Sequence, residues 1–173
     1  CALALYAVLK NKKIISNKEF QTYATDKTLF GEHPSPSLKK NKINFASGSL
    51  GHGIGYASGV AYSNKLKKVS GKSFVLIGDG ELNEGSCWES IMLAAKLKLD
   101  NLYVFIDYNK WQATGRSNQI LELEPLKEKL KSFGWASAEV NGHDIEKVIK
   151  TIKVLEKKSG KPKIIIAHTI KGK

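Results

Sequence analysis

Apolar residues gather along this chain in short runs separated by polar and glycine-rich stretches. Phe74-Val75-Leu76-Ile77 is continuous and apolar, which predicts a buried strand, and Leu102-Tyr103-Val104-Phe105-Ile106 predicts a second. Trp135 to Val140 and Lys163 to His168, the latter just after Pro162, predict two more. Helical character falls on Ala2 to Asn11, Leu50 to Lys68, Asn83 to Lys98, and Pro125 to about Phe133, with proline in the first turn. Ser16-Asn17-Lys18-Glu19 is a capping-box pattern opening a helix to about Ala24, and Asp144 caps another from Ile145 to Lys157. Phe30 to Asn44, with Gly31, Pro34 and Pro36, and Gln112 to Glu124, with Gly115, read as loops. Strands alternating with helices imply an α/β fold, an open parallel sheet with helices on both faces.

Two details point to where such a sheet would work. The helix from Leu50 carries Gly51, Gly53, Gly55 and Gly59. Each glycine costs a helix about 1 kcal/mol relative to alanine, so close approach to another backbone or to a cofactor must compensate. A dinucleotide-binding loop does not explain them: the third glycine of G-x-G-x-x-G falls on Tyr56 or Ser58, and no clear strand precedes it. The two strand candidates end in Gly78-Asp79-Gly80 and Asp107-Tyr108-Asn109, with Asn109 thirty residues past Asp79 (109 − 79 = 30). As parallel neighbours they would bring Asp79 and Asn109 out side by side at the carboxyl edge, where open α/β sheets bind ligands. A carboxylate and an amide oxygen can hold a hard divalent cation and leave room for phosphate oxygens. Gly80 would leave a backbone N–H uncovered at a helix start, which favours phosphate. A plain helix cap is the competing role for Asp79.

The text around these residues narrows the chemistry. Gly-Asp-Gly followed after just under thirty residues by Asn is similar to the thiamine diphosphate signature. Gly78-Asp79-Gly80-Glu81-Leu82-Asn83-Glu84-Gly85-Ser86-Cys87-Trp88-Glu89, Lys98-Leu99-Asp100-Asn101-Leu102, Phe133-Gly134-Trp135 and, upstream, Ser47-Gly48-Ser49-Leu50-Gly51-His52-Gly53 together resemble the transketolase family, in the right order over nearly the whole chain. The resemblance implies that Asp79, Asn109 and the main-chain carbonyl of Trp111 bind Mg²⁺ or Ca²⁺, and that Gly48, Ser49, Leu50, Gly80 and Asn109 contact thiamine diphosphate. It implies a catalytic contact from His33, fifteen residues before Gly48, to the donor sugar's hydroxyl, and a place for Glu84 in a proton relay between active sites. A surface histidine and an ordinary acid at a helix start are the plain alternatives for these two. His52 is taken as surface or packing, and His143 and His168 match no motif residue. The chain departs from the family at Ser49 (more often Pro), His52 (more often Gln), Ala113 (a larger aliphatic) and Thr114 (Asp). The Ala113 position packs near the thiazolium, so pocket volume and substrate identity are altered.

The implied reaction is transfer of a two-carbon ketol unit between sugar phosphates. In the family the acid that activates the cofactor's aminopyrimidine belongs to a second, pyrimidine-binding domain. Residues 1–173 are therefore expected to form a single diphosphate-binding domain, incomplete at both ends, that works with a pyrimidine-binding subunit or domain in a homo- or hetero-oligomer. Glu81-Leu82-Asn83-Glu84-Gly85 favours the transketolase type over a ketoacid dehydrogenase α subunit or a deoxyxylulose phosphate synthase. Outside enzymes, the alternative is a non-catalytic partner that keeps the fold.

Composition adds mainly exclusions. The formal net charge is +12, but Arg116 is the only arginine and the lysines are scattered. Without arginine's bidentate fork or interleaved aromatic platforms, no nucleic-acid reader is implied; the charge can steer phosphorylated sugars. Ala2 to Leu9 is too short to cross a bilayer and no basic segment precedes it, so no membrane role is implied. Cys1 and Cys87 make neither a disulfide framework nor a metal spacing, Cys87 reads as packing, and a reducing cytoplasm is the expected compartment.

Overall fold

The computed structural model describes residues 2–36 and 43–173, which divide into two units, Cys1–Leu50 and Gly51–Lys173. Cys1 and part of the predicted loop, 37–42, lie outside the described residues. In the first unit, α1 (Ala2–Asn11) buries Tyr6 against Phe30, edge to face at 5.0 Å, and against Tyr23 at 5.7 Å. The Tyr6 hydroxyl is not left unpaired, since it donates to the Gly31 carbonyl at 2.8 Å. The capping box forms as expected: Ser16 Oγ accepts from Glu19 N–H at 3.1 Å, and Ser16 N–H donates to Glu19 Oε2 at 2.6 Å. The helix it opens, α2 (Asn17–Phe20), stops four residues short of Ala24. Thr22 and Thr25 hydroxyls donate to the carbonyls three residues back, and Ala24 turns to φ +62°, so local side-chain bonds replace helix propagation.

The second unit runs α3 (His52–Leu66), β1 (Ser73–Gly78), a 3₁₀ turn (Gly80–Asn83), α4 (Gly85–Lys96), β2 (Leu102–Tyr108), α5 (Ser117–Ile120), α6 (Leu126–Ser132), β3 (Ala136–Asn141), α7 (Ile145–Glu156) and β4 (Lys163–His168). All strands are parallel, in the order β1-β2-β4-β3. Helices cover both faces, as the alternation implied. One face carries Ile77, Leu102, Val104, Ile106, Ile164 and Ile166 against residues of α3, α4 and α6. The opposite face carries Val140 and Ile165 against Leu155, Val148 and Ile152 of α7.

Four expectations about these elements change. Phe74-Val75-Leu76-Ile77 is a strand but not a wholly buried one: Val75 and Ile77 face the core, while Phe74 and Leu76 are exposed. The reason is its position at the sheet edge, where Phe74 stacks on Tyr103 and Phe105 of the next strand. The helix expected over Asn83–Lys98 breaks at Glu84, whose backbone is extended, into the 3₁₀ turn and α4. The loop 112–124 contains the short α5, and Pro125 is the N-cap of α6 rather than its first-turn residue.

The glycines of α3 have separable reasons. Gly53 and Gly55 lie where a Cβ would come to 3.4 Å from Val75 Cγ2 and 3.3 Å from Ser90 Oγ, so α3 sits close on β1 and α4. Gly59 has nothing within 4 Å and no such reason. Gly51, the N-cap of α3, is left-handed at φ +83°, and a Cβ there would overlap Ser86 Oγ and stand 2.9 Å from Glu84 Cβ. Gly51→Ala should lower the stability of the folded chain by about 1–3 kcal/mol, the cost of a non-glycine residue held in this region. A fall in the urea midpoint at unchanged slope is the expected result.

Candidate functional site

Strand register sets the geometry of the site. β1 pairs with β2 so that Gly78 lies opposite Asp107, and the Asp79 N–H continues the ladder by donating to the Asp107 carbonyl at 3.3 Å. Asp79 is the first residue past β1 and Asn109 the first past β2, so both stand at the carboxyl edge of neighbouring strands.

Asp79 is 1 % exposed, and its two oxygens are held from two directions. Oδ1 accepts from Gly80 N–H at 3.0 Å and Oδ2 from the Ser117 hydroxyl at 2.8 Å. The helix-cap role weighed for this residue is therefore real, but it covers one oxygen only and serves a single 3₁₀ turn. Among the described residues, no lysine, arginine or histidine pairs with this carboxylate. A buried carboxylate is normally paired or coordinates a metal, and an uncompensated buried charge costs several kcal/mol, roughly 3–5 by the usual measure of a broken pair. Two hydrogen bonds from neutral donors offset part of that cost and leave the charge.

Asn109 is oriented by Asp107 from the end of β2: Asn109 Nδ2 donates to Asp107 Oδ2 at 3.0 Å, and Thr169 Oγ1 donates to the other oxygen. This turns Asn109 Oδ1 the other way, where it accepts from Trp111 N–H at 2.9 Å and keeps a second lone pair. Trp111 lies in a loop closed by its antiparallel bridge to Arg116, by Gln112 N–H to the Gly115 carbonyl at 2.8 Å, and by Ser117 N–H to the Lys110 carbonyl at 3.1 Å. The Arg116 guanidinium lies 4.1 Å from the centroid of the Trp111 ring. Gln112 hangs over Gly80, where a Cβ would come to 3.0 Å from Gln112 Cγ.

Gly80 is placed beside Asp79 as expected, although its N–H is engaged by the Asp79 carboxylate. Glu84 is the exposed N-cap of α4 without a side-chain capping bond, and Glu81, in the 3₁₀ turn, accepts from Gly51 N–H at 2.9 Å. Cys87 is fully buried at the start of α4; burial first, with Glu81 and Glu84 adding to it, pushes its thiol up to about 12, consistent with packing. In the first unit, His33 and the Gly48 loop meet. The imidazole lies against Gly48, at φ +132°, where a Cβ would stand 2.9 Å from His33 Cγ, and Ser47 N–H donates to the Pro34 carbonyl at 2.8 Å. His33, Ser49, Leu50 and His52 are exposed.

A thiamine diphosphate and metal site is tested most directly by what these residues lack. Among the described residues no group of three or more His, Cys, Asp or Glu is placed to hold a metal. The expected set is of another kind, with one carboxylate, one amide oxygen and one main-chain carbonyl, all hard oxygen donors suited to Mg²⁺ or Ca²⁺. Among the described residues, Asp79 has no cationic partner and Gln112 Nε2, beside Gly80, is a buried donor without a partner. Both deficits fit a cation and an anionic oxygen.

Sequence reasoning missed Ser117, Asp107, Gln112 and Glu81. Asp107 carried a signal, because residues two apart on a strand share a face. Ser117 carried none, being brought to Asp79 only by the fold.

The family model that matches residues 5–173 is the transketolase, thiamine diphosphate binding domain. The apulose-4-phosphate transketolase subunit from Phocaeicola vulgatus is 36 % identical over 173 residues, which are 100 % of this chain and 61 % of that protein. The 6-deoxy-6-sulfo-D-fructose transketolase subunit SqwG from a Clostridium species is 35 % identical over 98 % of this chain and 62 % of its own length. The chain thus spans about six tenths of these relatives. The transketolase structure from Leishmania mexicana superposes with a TM-score of 0.86 at 26 % identity, covering 95 % of this chain and 26 % of that one. That from Campylobacter jejuni superposes at 0.84 and 29 %, over 95 % of this chain and 27 % of that one. Sequence, strand order and family model agree, and the chain belongs to the transketolase family as its thiamine diphosphate-binding, N-terminal domain.

Proposed function

We propose that this chain supplies the diphosphate-binding half of a transketolase-like enzyme that moves a two-carbon ketol unit between sugar phosphates. The observation that carries the reading is the buried, cation-less Asp79 carboxylate at the carboxyl edge of β1, one strand from Asn109. Asp79, Asn109 Oδ1 and the Trp111 carbonyl would hold Mg²⁺ or Ca²⁺, through which the diphosphate is anchored. Gly80, with Asn109, would contact the diphosphate, and Gly48, Ser49 and Leu50 would lie against the cofactor. Thiamine diphosphate, when bound, supplies the carbanion chemistry that amino acid side chains cannot. This chain's residues anchor, orient and exclude water, and they hold protons at defined atoms. His33 would meet the donor sugar's hydroxyl, and its contact with Gly48 puts imidazole and cofactor loop in one neighbourhood. Glu84 would serve the proton relay. Ala113, where the family carries a larger aliphatic residue, would leave more room beside the thiazolium.

We further propose a pyrimidine-binding partner, either a second chain or a further domain. Relatives of this chain are named as subunits, and α3 and α4 expose Tyr56, Val60, Met92 and Leu93. Exposed apolar side chains on neighbouring helices are suited to burial against a partner. Among the described residues no helix is long and apolar enough to cross a membrane, and a cytoplasmic location remains our proposal.

Asp79→Ala should abolish retention of thiamine diphosphate while the chain stays folded; unchanged cofactor affinity by calorimetry, with the partner present, would overturn the site. His33→Ala should lower ketol transfer in the assembled enzyme by about 10²- to 10⁴-fold, the range for one positioned proton-transfer group, at unchanged thiamine diphosphate affinity. Wild-type turnover would make His33 a surface residue, and lost cofactor binding would move it from the substrate to the cofactor.

A further inference from the structure

We propose that Ser117 is a positioning residue of the cation site, and that its hydrogen bond to Asp79 makes the site prefer Mg²⁺ over Ca²⁺. The inference rests on the reading of Asp79 as a cation ligand. Ser117 is 4 % exposed and Asp79 1 %, so water does not compete for their 2.8 Å bond. With Gly80 N–H on Oδ1 and Ser117 on Oδ2, donors from two separate elements fix the rotation of the carboxylate.

The Ser117 backbone does a second thing. Ser117 closes the loop that carries Trp111, through its own N–H to the Lys110 carbonyl and through the neighbouring Trp111–Arg116 bridge and ring contact. Asp79 and Trp111 are two of the three proposed ligands, and they come from two different segments: one from the end of β1, the other from the loop after β2. Ser117 is a hydrogen-bonded link between them, and the only one of the two described routes that ends on the Asp79 carboxylate; the other runs from the Asp79 N–H through Asp107 and Asn109. Removing its hydroxyl would leave the loop closed through the Ser117 N–H but free the carboxylate to turn about its remaining bond to Gly80 N–H.

The two cations would feel that loosening differently. Mg²⁺ requires a near-ideal octahedron with oxygens at about 2.0–2.1 Å, whereas Ca²⁺ accepts six to eight oxygens at about 2.3–2.6 Å in irregular arrangements. A rigid carboxylate therefore helps the small cation most.

The test titrates MgCl₂ and, separately, CaCl₂ into the full-length protein together with its partner, in the presence of saturating thiamine diphosphate, followed by calorimetry. Ser117→Ala should weaken Mg²⁺ binding by about 10- to 100-fold, the usual effect of removing a group that orients a metal ligand. Ca²⁺ binding should weaken clearly less, so that the Mg²⁺/Ca²⁺ preference falls. Ser117→Thr keeps the hydroxyl and should restore the preference. An equal loss for both cations, or no loss, would overturn the proposal, since a merely structural serine would not discriminate between them. Asp79→Asn, titrated in parallel, separates the two readings. If it binds both cations as the wild type does, Asp79 is not a ligand and both fail. If it loses them while Ser117→Ala keeps the wild-type preference, only the role of Ser117 falls.

Discussion

A negative charge buried without a cation governs the working edge of this fold. The chain places the Asp79 carboxylate at the end of β1, 1 % exposed, and surrounds it with neutral donors only. A charge so placed is costly unless a cation completes it. Several other features make sense as supports for that group: the 3₁₀ turn that begins on it, the Ser117 bond that reaches it from α5, and the parallel register that sets Asn109 beside it. Stability given up at this edge is recovered in the rest of the unit, where Ile164, Ile166, Leu102 and Val104 fill a dry core under α3, α4 and α6.

Close packing then ties the turn after Asp79 to the glycine-rich helix. Gly51 begins α3 in a left-handed conformation, donates to Glu81 in the turn after Asp79 and accepts from the Ser86 hydroxyl in α4. The helix start and the turn after Asp79 are thus bound by hydrogen bonds, and a side chain at Gly51 would push them apart. Glycine is tolerated in α3 because of these approaches, and Gly59 shows the limit of that explanation, since nothing presses on it.

The parts of this arrangement that were legible in the sequence are those fixed by local rules. The strand Lys163–His168, the Ser16–Glu19 capping box and the Asp144 cap, whose side chain accepts from Lys147 N–H, depend on residues a few positions apart. Asp79 and Asn109 were legible because each lies within three residues of the end of an apolar run, and a parallel pairing brings such ends together. The exposed Phe74 and Leu76 were not, because only the strand order makes β1 an edge. The break at Glu84 has a local signal, since Asn83 and Gly85 on either side of it are weak helix formers, but the apolar spacing from Trp88 onward outweighed it. Ser117 lies 38 residues from its partner, and no periodicity links them. Long-range polar contacts of this kind belong to the tertiary structure alone.

The central claim is that Asp79, Asn109 and the Trp111 carbonyl form one oxygen site for a divalent cation shared with thiamine diphosphate. Crystals of the assembled protein grown with thiamine diphosphate and Mn²⁺, measured at the manganese absorption edge, test it most directly. The account predicts a single strong anomalous peak at coordination distance from those three oxygens and from the diphosphate. A bound cofactor with the peak elsewhere, or with Asp79 turned away from the metal, would contradict it.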